Sequence, residues 1–153
     1  MLQDNTQALQ ALASTLSIPL SFNAYGVCDV VMNGDALITL EGDPQSTTLR
    51  INAVVGVLPE ADSPQALRLL LQANFNGQGT GANSLAIDHV SGEVVLGRTV
   101  DVTTLGHDGL LQPVREFARY LLYWRRNLLR QVSQATSPAP DGEDLMMSLR
   151  MLA

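Results

Sequence analysis

Residues 83–102, Asn-Ser-Leu-Ala-Ile-Asp-His-Val-Ser-Gly-Glu-Val-Val-Leu-Gly-Arg-Thr-Val-Asp-Val, constrain the fold more than any other stretch of this chain. They read as a β-hairpin. Ser84–Ile87 is a short apolar arm, and Val94–Val102 is a longer one rich in β-branched residues, which pack well on a pleated, half-covered surface. Between them, Asp88-His89-Val90-Ser91-Gly92-Glu93 has turn chemistry. The Asp88 carboxylate can accept from backbone N–H groups ahead of it, and Gly92 can take the positive φ of a type I turn followed by a bulge. Side chains alternate along a strand, so Val94, Leu96, Val100 and Val102 share one face, interrupted by Arg98. Val95, Gly97, Thr99 and Asp101 share the other. One face is built to be covered. A helical segment flanks the hairpin on each side in sequence, so the expectation is a hairpin at the centre of a sheet with helices packed on it.

Before the hairpin, Asp4–Leu16 carries Leu9, Leu12, Ala13 and Leu16 at the spacing of one apolar helix face, with Asp4 or Asn5 as N-cap. Pro19 ends any helix, and 17–22 reads as extended. Val27–Met32 leads through Asn33-Gly34-Asp35 into Ala36–Glu41, and Asn-Gly between two apolar runs is a strong hairpin signal. After the turn Gly42–Ser46, Thr48–Leu58 is a third strand with Leu49, Ile51, Ala53, Val55 and Val57 on one face. A meander of this kind makes the sheet antiparallel.

Ser63 and Pro64 open a second helix as N-cap and first residue. Its residues Ala66, Leu67, Leu69, Leu70, Leu71, Ala73 and Phe75 go around most of the cylinder, which calls for cover on more than one side, a second subunit included. The glycine-rich loop 76–83 follows a helix and opens a strand, the reverse of a phosphate-binding loop, and reads as a flexible connector. The longest helix follows His107-Asp108-Gly109, has Pro113 in its first turn and ends near Val132. Val114, Phe117, Leu121, Trp124 and Leu128 form its apolar row, widened by Ala118, Leu122, Leu129 and Val132. Arg125, Arg126 and Arg130 suit the C-terminal end of its dipole. Domain organisation is then one domain over 1–132, with 133–153 a linker and a flexible Met-rich tail, since the eight residues 145–152 cannot hold a helix alone in water. The fold class is α+β: an antiparallel twisted sheet of about five strands with three helices, in the order α-β-β-β-α-β-β-α.

Charge narrows the partners. The net charge is −6, with nine arginines and no lysine, which argues against nucleic acid and anionic membrane. Only 16% of residues are charged, against about 25% in an average soluble domain, so part of the surface is expected to be covered by something else. The apolar cluster Tyr120–Trp124 is far short of the ~20 residues that span a bilayer. The single Cys28 and the lack of a basic-then-apolar leader point to a reducing cytoplasm.

Catalysis has no visible carrier. His89 sits in a tight turn and His107 at a helix start, and Cys28 lies on an apolar strand where an inert thiol is expected. There is no HExxH, no CxxC and no lysine for a Schiff base, so no metal, no cofactor and no enzyme activity are expected.

Several segments carry a family resemblance: Leu12–Phe22 (Leu-Ala-Ser-Thr-Leu-Ser-Ile-Pro-Leu-Ser-Phe), Gly26-Val27-Cys28, Leu58-Pro59, the run Leu85–Arg98, and Leu110, Leu111, Phe117 and Trp124 in the last helix. In this order, on a small acidic chain, they resemble the class I chaperones of bacterial type III secretion, the Tir-chaperone family, over about residues 4–132. The Met-rich tail departs from that pattern. The resemblance implies a cytoplasmic homodimer that holds the N-terminal region of a secreted effector in extended form, without ATP, and keeps it export-competent. It also implies the ATPase of the secretion apparatus as a further partner, with no nucleic acid and no membrane. By that analogy Leu9, Leu12, Leu16, Leu20, Phe22, Val31 and Ile38 bind effector. Leu67, Leu70, Leu71, Phe75, Leu85 and Ile87 form the dimer interface. A regulatory variant that sequesters an antiactivator, and a small ligand-binding or enzymatic domain with no visible site, are the alternatives.

Overall fold

The structure is a computed structural model and describes residues 1–58 and 63–135, with side chains described as far as Leu128. Three α-helices, α1 (Asn5–Leu16), α2 (Pro64–Asn74) and α3 (Leu111–Ala135), accompany five strands. The strands are β1 (Val27–Met32), β2 (Ala36–Glu41), β3 (Thr48–Val57), β4 (Ser84–Ile87) and β5 (Glu93–Asp101). They form one sheet in the order β1-β2-β3-β5-β4, antiparallel in the β1–β2, β2–β3 and β4–β5 pairs. The α-β-β-β-α-β-β-α order and the α+β class are as expected. Helix α3 runs three residues past Val132 into the expected linker, and the tail from 136 onward lies outside the described residues.

One expectation fails here. The 84–101 hairpin is not central: β3 occupies the middle, and β4 is an outer strand. The longer arm β5 has nine residues to share between two neighbours, whereas β4 has four. The hairpin's own chemistry is as read: Asp88 Oδ1 accepts from Val90 N at 2.8 Å, Gly92 N donates to Asp88 O at 2.7 Å, and Gly92 takes φ +73°.

The contacts divide the described residues into two compact units, 1–53 with 98–119, and 54–97 with 120–135. In the first, Asp4 caps α1 by accepting from Gln7 N at 2.8 Å. The next residue, Asn5, is fully buried and ties the helix start to the β2–β3 turn: its Nδ2 donates to Asp43 O (2.8 Å) and Thr48 O (2.9 Å). Ala8, Leu9 and Leu12 of α1 join Val30, Ile38, Leu40, Leu49 and Ile51 of the strands and Val114, Phe117 and Ala118 of α3 in the core of this unit. Arg98, which breaks the apolar face of β5, reaches Glu116 Oε2 at 2.9 Å, so a half-buried charge is paired rather than orphaned.

In the second unit the core comprises Leu69, Leu70, Leu85, Val94, Leu96, Tyr120, Leu121, Trp124 and Leu128. Here the expected flexible connector is overturned: loop 76–83 is pinned. Trp124 Nε1 donates to Gly79 O at 3.0 Å, Thr80 and Asn83 are buried, and Gly79 N bonds back to Ala73 O at 2.9 Å. The glycines serve close approach, because Gly81 (φ +62°) lies where an added Cβ would stand 2.8 Å from the Tyr120 ring. Arg125 Nε and its Nη2 nitrogen both donate to Val54 O, at 3.0 and 2.8 Å, so this arginine holds the backbone of β3 rather than standing free for an anion.

Candidate protein-interaction surfaces

Helix α1 stops where Ser17 turns left-handed (φ 56°) and Ile18 N bonds to Ala13 O. Pro19 keeps the chain from re-entering a helix, and residues 18–23 run without regular structure. Asn23 then anchors the segment beside β1: its backbone N donates to Val27 O at 2.9 Å, and its Oδ1 accepts from Val27 N at 3.0 Å. Leu16, Leu20 and Phe22 emerge half-buried, and Ile18 is more exposed still. These are apolar side chains that the core uses only in part.

On β1, Cys28, Val30 and Met32 are buried, so Val27, Asp29 and Val31 carry their side chains on the opposite face. Val31 is 55% exposed, and directly across from it on β2 stands Leu37, 50% exposed. The sequence reading named Val31 and missed Leu37. The Asn33-Gly34 turn implies the β1–β2 register and could have supplied the pair. Beside them Thr39 Oγ1 donates to Asp29 Oδ1 at 2.7 Å.

A second apolar surface lies on α2. Leu71 is 71% exposed, Phe75 62% and Leu67 37%, while Ala66, Leu69, Leu70 and Ala73 are buried on the helix's other side. Asn74 at the end of the helix binds both backbone groups of Leu85, donating to its O at 2.9 Å and accepting from its N at 2.8 Å. No sequence signal marked this contact.

The expected interface residues therefore divide. Leu16, Leu20, Phe22, Val31, Leu67, Leu71, Phe75 and Ile87 keep accessible area. Leu9, Leu12, Ile38, Leu70 and Leu85 do not: each is at most 5% exposed and packed in its unit's core. A recess of about 560 Å³ opens between α1 and the loop before α3, lined by Leu2, Ala11, Thr15, Leu105, His107 and Leu111 among others. His89 and His107 are exposed, and burial pushes the Cys28 thiol above its ordinary pKa. Among the described residues no three His, Cys, Asp or Glu side chains converge on a metal site, and no helix is long and apolar enough to cross a membrane.

The fold has solved counterparts. The chain is similar to a structure of the HopA1–SchA chaperone–effector complex, with 21% identity, TM-score 0.57 and coverage of 80% of this chain and 91% of that one. It is similar to the Yersinia pestis type III secretion chaperone SycH, solved with a stable fragment of YscM2, at 15% identity, TM-score 0.60 and coverage of 78% and 98%. It is also similar to a chain of the ExsC–ExsE complex, at 20% identity, TM-score 0.58 and coverage of 82% and 97%. No curated protein matches the sequence directly. The model of the Tir chaperone protein (CesT) family matches residues 7–125, well over half of the chain. The chain belongs to the Tir chaperone protein (CesT) family.

Proposed function

We propose that this protein is a cytoplasmic, non-enzymatic chaperone that binds the N-terminal region of a type III secreted effector in extended form and keeps it soluble for export. The observation that carries the proposal is the set of accessible apolar side chains on a member of this family: Leu16, Leu20 and Phe22 at and after the end of α1, Val31 and Leu37 on the face of β1 and β2 turned from the core, and Leu67, Leu71 and Phe75 on the outer face of α2. Clustered exposed apolar side chains mark protein interaction sites. An extended cargo segment would lay its own apolar side chains on Leu16, Leu20 and Phe22 and on Val31. A second copy of the chain would cover the α2 face through Leu67, Leu71, Phe75 and Ile87. Two structures of similar fold were solved as chaperones with bound partners. The buried Leu9, Leu12 and Ile38 act from beneath, setting the shape of the cargo surface.

Pull-down of the tagged chain from its native cytosol, with mass spectrometry of what co-purifies, tests this. A secreted protein bound near its N-terminus at one cargo per two chaperone chains supports the reading. A transcriptional regulator as the sole partner would convert it to the regulatory variant of the same scaffold. A metabolite that raises the melting temperature, with no protein partner, would sink it.

A further inference from the structure

The chain contains two Asn-Gly steps, Asn33-Gly34 in the β1–β2 turn and Asn76-Gly77 just after α2, and the proposed function uses neither. The structure gives them the same backbone. Asn33 has φ 52° and Gly34 φ 89°, while Asn76 has φ 52° and Gly77 φ 67°. Two successive positive φ values are the pattern of a type I′ turn, which asparagine and glycine tolerate best. Both asparagines are exposed, and nothing stands within 4 Å of where a Cβ would sit on either glycine.

The other asparagines are held differently. Asn5 Nδ2 donates to Asp43 O and Thr48 O, and Asn23 Oδ1 accepts from Tyr25 N and Val27 N. Asn74 binds Leu85, Asn83 Nδ2 donates to Thr80 O, and Asn127 Nδ2 donates to Tyr123 O. Asn52 is half-buried within β3 and paired to Thr39 of β2. None of these six precedes a glycine.

An exposed asparagine before glycine has a chemistry of its own. The glycine nitrogen, losing its proton, forms a bond to the asparagine Cγ. The Cγ–Nδ2 bond then breaks, and ammonia leaves with a proton. The product is a five-membered succinimide. Water adds to one of its two carbonyls and opens the ring, giving aspartate or, with the main chain rerouted through the side chain, isoaspartate. Nothing is oxidised or reduced, and water is the only co-reactant. Ring closure brings the glycine nitrogen into eclipse with Cβ, close to the first central position of a type II′ turn at about φ +60°, ψ −120°. Asn33 and Asn76 already have that φ. What remains is a flip of the Asn–Gly peptide plane, which leaves the flanking Cα atoms in place and which a glycine without Cβ permits.

We propose that Asn33 and Asn76 are sites of spontaneous deamidation in the folded chain, each closing through a succinimide to aspartate and isoaspartate. Every conversion adds a negative charge to a chain that already carries −6. Asn76 directly follows Phe75, 62% exposed on the outer face of α2, so its conversion puts a carboxylate beside the surface that a second copy is proposed to cover. That consequence rests on the dimer reading, whereas the modification does not.

The test is to hold the full chain at 37 °C at pH 6 and pH 8.5, with near-ultraviolet circular dichroism to show that it stays folded. Peptide mapping by mass spectrometry follows each asparagine, and enzymatic methyl transfer counts isoaspartyl groups. Asn33 and Asn76 should convert severalfold faster than the other six, faster at the higher pH because the attacking nitrogen must lose its proton, and with isoaspartate among the products. Conversion at Asn33 and Asn76 no faster than at Asn127, conversion seen only in urea, or products free of isoaspartate would overturn the inference. Asn76→Asp, which installs one product directly, should weaken the dimer severalfold in sedimentation equilibrium, and Asn33→Asp should not. A dimer as tight in Asn76→Asp as in wild type would remove the consequence at α2. If wild type is itself monomeric, the dimer reading falls and the modification stands.

Discussion

Leu71→Glu should dissociate the proposed dimer without unfolding the chain, and the structure sets the size of the effect. Leu71 exposes 71% of its surface and its neighbour Phe75 exposes 62%. Fully burying a leucine is worth about 1.5–3 kcal/mol, so covering the exposed part of Leu71 is worth about 1–2 kcal/mol per copy. A two-fold interface uses the residue twice, giving about 2–4 kcal/mol, and placing two carboxylates there adds a desolvation cost. Each 1.4 kcal/mol is a factor of ten, so the dimer constant should weaken by about a hundredfold or more. Leu70 is the control. It is 5% exposed on the buried side of the same helix, so Leu70→Glu should lower stability sharply instead. Sedimentation velocity across micromolar concentrations, with a melting curve for each variant, separates the two. A wild-type chain that is monomeric at micromolar concentration, or a Leu71→Glu variant that dimerises as well as wild type, would refute the reasoning.

Three further outcomes follow from local geometry. Gly81→Ala should lose about 2–4 kcal/mol of stability by urea denaturation, because a Cβ at φ +62° would also stand 2.8 Å from the buried Tyr120 ring. An unchanged urea midpoint would mean the loop is not pinned as described. The N–H of Val90, and then that of Ser91, hold the Asp88 carboxyl below its ordinary 3.8. That stabilisation is complete above the ordinary value and is lost as pH falls through the lowered one, so wild type should lose more stability than Asp88→Asn between pH 5 and pH 2, and parallel losses would remove the turn from the account. Cys28 is buried with a raised pKa, so it should react with a disulfide reagent at pH 8 only after urea is added, and prompt labelling of the native chain would contradict that.

Element boundaries were legible in the sequence because short-range chemistry sets them. Asp4, Ser63 and the Asn33-Gly34 turn act within four residues of themselves, and the observed elements begin or end within a residue or two of where these signals place them. Strand order was less legible. The alternation in 94–102 identified a covered face correctly, but nothing in it says which neighbour the long arm takes, and the hairpin lies at the end of the sheet. Loop 76–83 was misread for a related reason: its order comes from Trp124 and Tyr120, some forty residues away, and a glycine that permits close packing looks in sequence like one that permits motion. Of the interface residues, helical spacing put Leu9 and Leu12 on one face with Leu16, yet only the helix's end leaves the core, so periodicity could not separate core from groove. Leu20 and Phe22, named through the family resemblance, are half-exposed on a segment outside any helix or strand. The hold of the Asn74 carboxamide on both backbone groups of Leu85 was invisible, because it depends on where α2 lies against β4.

Titration calorimetry of the chain with the N-terminal fragment of the secreted protein that co-purifies with it tests the central claim most directly, with wild type compared to Phe22→Ala. Phe22 is half-buried and belongs to the proposed cargo surface, so its truncation should weaken binding by more than about fivefold while the melting temperature stays within a few degrees of wild type. Unchanged affinity, or an affinity loss that tracks a collapsed melting temperature, would contradict the account by returning Phe22 to the core and leaving the cargo surface without its aromatic anchor.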